Sequence, residues 1–353
     1  MNDLVHGTVA PGFEPVAETF AGLLASGAET GASVAAYAGG NLVVDLWGGW
    51  ADAARTEPWR ADTLATVFSA GKPVAALALL TRVAQGRIGL DDPVARFHPA
   101  FAHPGGTVRH ALAHRLGLPT IAEPLTPAEA LDRRRCTDAI FAGPLEWEPG
   151  TAVGEHALTY GNILGAILRG ATGETIGAVV RGLGHDVHIG LSTADLARCA
   201  EVEHGAPDWP DRSVHGHGEL WARALGNPAG LLDTAVLNGA AWRTGELAAV
   251  NAHATARGLA GLYQALPRLL PAGLLAEALA PQAVGFDRLL EEDATWTLGW
   301  RRDEDWIGMG GIGGSSAGGH LTDPDGYRMA YVTRHLAGHD RSNALYDALE
   351  ACL

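Results

Sequence analysis

The run Phe68-Ser69-Ala70-Gly71-Lys72 sets a hydroxyl and an amine three residues apart at the head of an apolar helical pattern. On a helix such residues share a face about one turn apart. A serine hydroxyl is a poor nucleophile until a base takes its proton. Lysine can be that base once burial lowers its pKa. Free N–H groups at a helix start can also hold an oxyanion. The same residues have a plainer reading, since serine is a frequent N-cap and a first-turn lysine is commonly solvated.

Other chemistry-bearing patterns compete less well. Gly308-Met309-Gly310-Gly311-Ile312-Gly313 matches G-x-G-x-x-G, but too little chain follows for a dinucleotide-binding βαβ unit. Gly314-Ser315-Ser316-Ala317-Gly318 matches G-x-S-x-G, with Asp323 and His335 or His339 downstream, but lacks the strand–elbow–helix setting. Among 15 histidines the nearest clusters are His185–His188 and His215–His217, and neither has i, i+4 spacing with a third ligand. They read as surface or supporting groups, and no metal is expected.

The elements that must position Ser69 and Lys72 follow from periodicity. Phe13, Val16, Phe20, Leu23 and Leu24 predict a helix over 13–26. Residues 32–38 and 42–47 read as strands joined by a Gly39-Gly40-Asn41 hairpin turn, with a short extended piece over 63–68. Val74, Leu77, Leu80 and Val83 form the buried stripe of a helix that starts at Lys72 and stops at Gly86. The stretch from 91 to 290 reads as helices between Gly/Pro loops. It holds a capping box at Thr126–Glu129, a capped start at Ser192–Asp195 and a helix over 254–266. Strands return at 296–301 and 327–333, and a helix over 342–349 closes the chain. Strands near both ends with helices between predict an α+β fold, an antiparallel sheet flanked by terminal helices with an inserted all-α domain. The division is a sheet subdomain of 1–72 and 291–353 and a mainly helical subdomain of 73–290, with a cleft at their junction.

Composition narrows the function. The 353 residues are 47% hydrophobic and 18% charged, as in a globular chain, and carry a net charge of −15. That charge repels phosphate backbones, so no nucleic-acid partner is expected. Three scattered cysteines give no disulfide framework. The start Met1–His6 lacks a basic region before an apolar stretch, and no apolar run is long enough to span a bilayer, so a cytoplasmic protein without a membrane partner is expected.

The surrounding residues carry a resemblance over nearly the whole chain. They include Asp45–Gly49, Trp59, Asp62–Leu64, Gly89–Val94, Thr107–Leu112, His114–Pro119, Trp147–Thr151, His156–Gly161, Val187–Leu191, Ala256–Ala260 and Gly313–Ser315. With Phe68–Lys72 among them, the chain resembles the serine hydrolases related to class C β-lactamases and penicillin-binding proteins, in particular the family VIII esterase-like branch, which includes transacylases of specialised metabolism. The resemblance implies the fold inferred above, Ser69 as nucleophile, Lys72 as base, and no cofactor.

Two departures stand out. The family's proton-shuttling tyrosine resembles the first residue of a Tyr-His-Ala run after Pro-Gly-Thr, and this chain has Glu155-His156-Ala157 there. Tyr160-Gly161-Asn162 spells the Y-x-N pattern literally, so Glu155 and Tyr160 compete, with Asn162 as a binding residue beside the latter. If both lay on one helix they would point about 140° apart. Glu155 is preferred by its place in the motif. The family's Lys-, His- or Trp-x-Gly strand resembles Met309-Gly310-Gly311. The Ile312 amide would then be the second oxyanion donor, and Met309 suits an apolar acyl group. The expected function is acyl transfer through acyl-Ser69, from a small-molecule ester, thioester or amide to water or to an amine or alcohol acceptor. A homo-oligomer is left open. The alternatives are a binding protein that has lost turnover, or a catalyst using Glu155 as acid or base without an acyl-enzyme.

Overall fold

The computed structural model describes residues 5–206, 209–210 and 218–353. His215 and His217, and the first four residues of the N-terminal segment, lie outside them. The strands are β1 (Val5–Val9), β2 (Gly31–Ala38), β3 (Asn41–Gly49), β4 (Ala65–Thr66), β5 (Val187–Ile189), β6 (Glu203–His204), β7 (Ala252–Ala254), β8 (Ala283–Asp287), β9 (Glu292–Trp296), β10 (Arg301–Asp303), β11 (Trp306–Gly310), β12 (Ser316–Gly319), β13 (Arg328–Thr333) and β14 (His335–Leu336). Five helices matter here: α1 (Glu14–Ser26), α2 (Lys72–Ala84), α3 (Tyr160–Thr172), α4 (Ala256–Gln264) and α5 (Asp340–Glu350).

Nine strands form one antiparallel sheet in the order β1-β3-β2-β13-β12-β11-β10-β9-β8. The N- and C-terminal segments therefore meet at the β2–β13 pair, where Val34 faces Tyr331. The β2–β3 turn has Gly39 and Gly40 at φ 51° and 81°, the left-handed conformation a tight hairpin demands. One face of the sheet is covered by the terminal helices. Val16, Phe20 and Leu24 of α1 and Leu345 and Leu349 of α5 pack on Val34, Val44, Leu46 and Tyr331. Burying such side chains stabilises by roughly 1.5–3 kcal/mol each. The other face carries α4 and the helical block, whose core runs through Val74, Leu77 and Leu80 of α2 and Ile163, Leu164 and Ile167 of α3.

The α+β fold with a nine-stranded antiparallel sheet thus matches the expected class. The helical block also contains short strands, since β7 pairs with both β4 and β5 in a separate three-stranded sheet. Two or three residues are too few for a period-two signal to show. The strand expected over 296–301 is interrupted. Thr297 and Trp300 close a turn at 2.9 Å, and Gly299 sits at φ 116°, where a Cβ would lie 2.2 Å from that of Ala76 on α2. The helix expected over 254–266 starts later, because the Thr255 hydroxyl caps it by accepting from the Gly258 amide.

Candidate active site

Ser69 lies on a 3-10 turn, Phe68–Gly71, that runs directly into α2. Phe68 is fully buried between the rings of Trp209 and Trp242 and holds φ 50°, a conformation an aromatic L-residue rarely adopts. This bend delivers Ser69 to a cavity of about 830 Å³ that is also lined by Glu155, Leu290, Trp296, Met309 and Ile312. Such a volume accommodates a small organic substrate.

Lys72 is completely buried. Its Nζ lies 2.6 Å from Ser69 Oγ, 3.0 Å from Glu155 Oε1 and 3.3 Å from the Ala249 carbonyl. An ammonium has three N–H donors and meets three acceptors here. A neutral amine in the same place keeps two donors, for Glu155 and Ala249, and turns its lone pair to the serine hydroxyl. Burial lowers the Lys72 pKa, and the charge of Glu155 and its hydrogen bond oppose that shift. Gly161 contributes from α3: a Cβ there would lie 2.3 Å from the Ala249 nitrogen, so only glycine lets the helix approach this acceptor.

Glu155 lies in the loop before α3, not on the helix, so the shared-helix geometry considered for residues 155 and 160 does not arise. Its amide donates to Asp287. Behind it stand two fully buried histidines. His156 accepts from the Leu118 amide at Nε2 and faces the Gly154 carbonyl with Nδ1, and its own amide donates to His114 Nδ1. Burial holds the His156 pKa down at about 4 and that of His114 well below its ordinary value, so both rings are neutral.

The structure brings Ser69, Lys72 and Glu155 together and turns Tyr160 and Asn162 away. The Tyr160 hydroxyl donates to the Leu112 carbonyl at 3.0 Å, and its ring stacks on His114. Asn162 is buried on α3, with its amide 3.5 Å from the Thr137 hydroxyl. The literal Y-x-N match is therefore a packing feature of a helix start.

Met309 ends on the cavity side of the sheet, packed with Val153, Ala294 and Trp296. The strand end at Gly311 presses against the nucleophile turn. A Cβ on Gly311 would lie 2.3 Å from the Val67 carbonyl and 3.3 Å from the Ser69 nitrogen. Glycine brings the Ile312 backbone beside that of Ser69, and among the described residues neither amide has a hydrogen-bond acceptor. Gly310 has the His339 ring against its other face. The two competing glycine-rich patterns resolve locally: 308–318 is a strand, a turn and a strand, so Ser316, the central serine of G-x-S-x-G, lies within β12 and not on a strand-to-helix elbow. His188 is paired with Asp186 at 2.8 Å. Sequence analysis missed Asp287 and the Ala249 carbonyl, whose roles arise only from segments far apart in the chain.

A nine-stranded antiparallel sheet, terminal helices on one face and a serine–lysine turn at its junction with a helical block define the class of protein. The beta-lactamase family profile matches residues 16–352, and the chain belongs to that family. It is 33% identical over 211 residues to the esterase/beta-lactamase LipL of Mycobacterium tuberculosis, an alignment covering 56% of this chain and 48% of that protein. The chain thus spans about half the length of that curated relative. The crystal structure of a family VIII carboxylesterase superposes with a TM-score of 0.89 at 28% identity, covering 99% of this chain and 100% of the other. A penicillin-binding protein homologue from Caulobacter crescentus gives 0.85 at 31% identity, with 99% and 100% covered.

Proposed function

We propose that this protein is a serine hydrolase or acyltransferase of the S-x-x-K kind, acting on a small ester, thioester or amide through an acyl-Ser69 intermediate. The observation that carries it is the buried Lys72 amine, 2.6 Å from a cavity-lining serine hydroxyl. Esterase and carboxylesterase relatives support the same class.

The Lys72–Glu155 pair supplies the proton handling. Ammonium–carboxylate and amine–carboxylic acid contain the same number of protons, so the pair can exchange one internally. In the reactive form Lys72 is an amine and Glu155 an acid. Ser69 Oγ bonds to the substrate carbonyl carbon as its proton passes to Lys72. The resulting oxyanion is held by the Ser69 and Ile312 amides. Collapse breaks the bond to the leaving group, which takes the Glu155 proton. Water or an acceptor then attacks the acyl-serine and gives its proton to Glu155, while Lys72 returns a proton to Ser69 Oγ. Glu155 thereby does the work of the family's tyrosine.

Leu290, Trp296 and Met309, which line the same cavity as Ser69, favour an apolar acyl group, and no cationic residue stands at position 309 to meet a β-lactam carboxylate. Incubation with a fluorophosphonate and intact-mass detection tests the proposal. One adduct on the wild type and none on Ser69→Ala is expected. An unlabelled wild type, or labelled Ser69→Ala, overturns it.

A further inference from the structure

Asp287 is a fully buried carboxylate at the end of β8 that the chemistry above does not use. Every partner of its side chain is an N–H group. Oδ1 accepts from the amides of Leu289 and Leu290, both at 2.9 Å. Oδ2 accepts from the Trp296 indole at 2.9 Å. Both oxygens take the Glu155 amide, at 3.2 and 3.0 Å. Among the described residues no acceptor stands by for a carboxylic proton, so the surroundings suit the anion, although burial raises its pKa. A backbone bond of 3.0 Å from Arg288 to Val153 runs beside this cluster.

Three of these partners, Glu155, Leu290 and Trp296, line the cavity, and they come from two segments, the Glu155 loop and the β8–β9 hairpin. A buried anion is costly unless its hydrogen bonds are made, so its retention here ties those segments into one geometry. Glu155 sits in a loop outside any helix or strand, and its other anchor is Lys72.

The geometry points to Asp287 as a positioning residue: it clamps the Glu155 loop to the acyl wall and so holds the Glu155 carboxylate on Lys72. The inference rests on the acyl-Ser69 proposal for its chemistry, but its geometric half can be tested without it. Among the described residues the charged groups facing Glu155 are Lys72 on α2 and Asp287 at the end of β8; His114 and His156 behind it are neutral.

Asp287→Asn is close to isosteric, yet its NH2 must face either the Trp296 and Glu155 donors or the Leu289 and Leu290 amides. The rate of fluorophosphonate labelling at Ser69 is expected to fall roughly 30-fold, the scale of a catalytic group moved by a fraction of an ångström. The acid limb of its pH profile should also move about one unit lower, because an anion beside the pair is gone. In a Glu155→Gln background the same substitution should change the rate less than about twofold, since residues acting as one unit are not additive. An equal loss in both backgrounds, or an unmoved acid limb, overturns the inference. A crystal structure of Asp287→Asn is the second readout: Glu155 displaced from Lys72 supports the clamp, and Glu155 in place overturns it, whether or not Ser69 labels. Should Asp287→Asn fail to fold, Trp296→Phe withdraws one donor and leaves the carboxylate. A several-fold loss is then expected that disappears with Glu155→Gln, together with a displaced Glu155; neither change overturns the inference.

Discussion

The turn at Phe68–Lys72 and the segment Gly154–Asn162 each bring a group to the same amine, but by different physics. The first is local. Ser69 and Lys72 are one helical turn apart, and the 3-10 turn running into α2 fixes their spacing almost regardless of what surrounds it. The second is tertiary. Glu155 reaches Lys72 from a loop whose path is set by Asp287, a residue far along the chain. A short-range constellation is legible as a motif, whereas a long-range one depends on where separate segments arrive; in the proposed function a carboxylate stands in for the family's phenol because it arrives at Lys72.

Substitutions at the two sides should separate these contributions. Lys72→Met is the most severe. It removes the proton acceptor and leaves the buried Glu155 carboxylate without its partner. Labelling of Ser69 should fall at least about a thousandfold, and loss of a buried charge partner should cost about 3–5 kcal/mol in urea denaturation. A Lys72→Met protein labelled at the wild-type rate would break the comparison at its local end. Glu155→Gln should lower the labelling rate on the order of 100-fold with the fold retained, since the amide keeps a hydrogen bond to Lys72 and loses the transferable proton. Equal rates for Glu155→Gln and wild type would mean that the tertiary side only packs.

Acidification gives a third test. Between the ordinary histidine value and the values in the fold, an unfolded chain binds protons that neutral buried His156 and His253 do not. The unfolded state then binds more protons, so stability rises with pH in that window. The contribution of His156, whose pKa falls from 6.5 to about 4, is therefore complete above about pH 6.5 and is lost as pH falls toward 4. It amounts to about 3 kcal/mol. Thermal unfolding followed at pH 7, 6, 5 and 4 should show the melting temperature dropping before most carboxylates titrate. A flat profile to pH 4.5 would argue that these rings are not held neutral. The smallest effect is expected for Tyr160→Phe: less than about twofold in labelling and about 1 kcal/mol in stability, from the lost bond to Leu112.

Legibility in the sequence followed the same division. The α2 stripe, the Gly39–Gly40 turn, the capping box at Thr126 and the capped helix start at Ser192 were readable because neighbouring residues decide them. The Thr297–Trp300 turn was not, because Gly299 is required by its closeness to Ala76 on another element. Glu155 was found only through its place in a family motif, and Tyr160 competed with it because periodicity says nothing of what a helix start faces. The fold buries that tyrosine against His114. Asp287 had no signal, since an aspartate after a short strand ordinarily reads as a turn residue.

The amine of Lys72 is met on three sides by fixed acceptors. Under the proposed mechanism no side chain has to swing for the base to change its protonation; its hydrogen bonds to Ser69 and Glu155 change polarity while the heavy atoms stay where they are. In the proposed cycle this end of the cavity is a stationary frame, and the parts that must travel are the substrate, the departing fragment and whichever second molecule collects the acyl group.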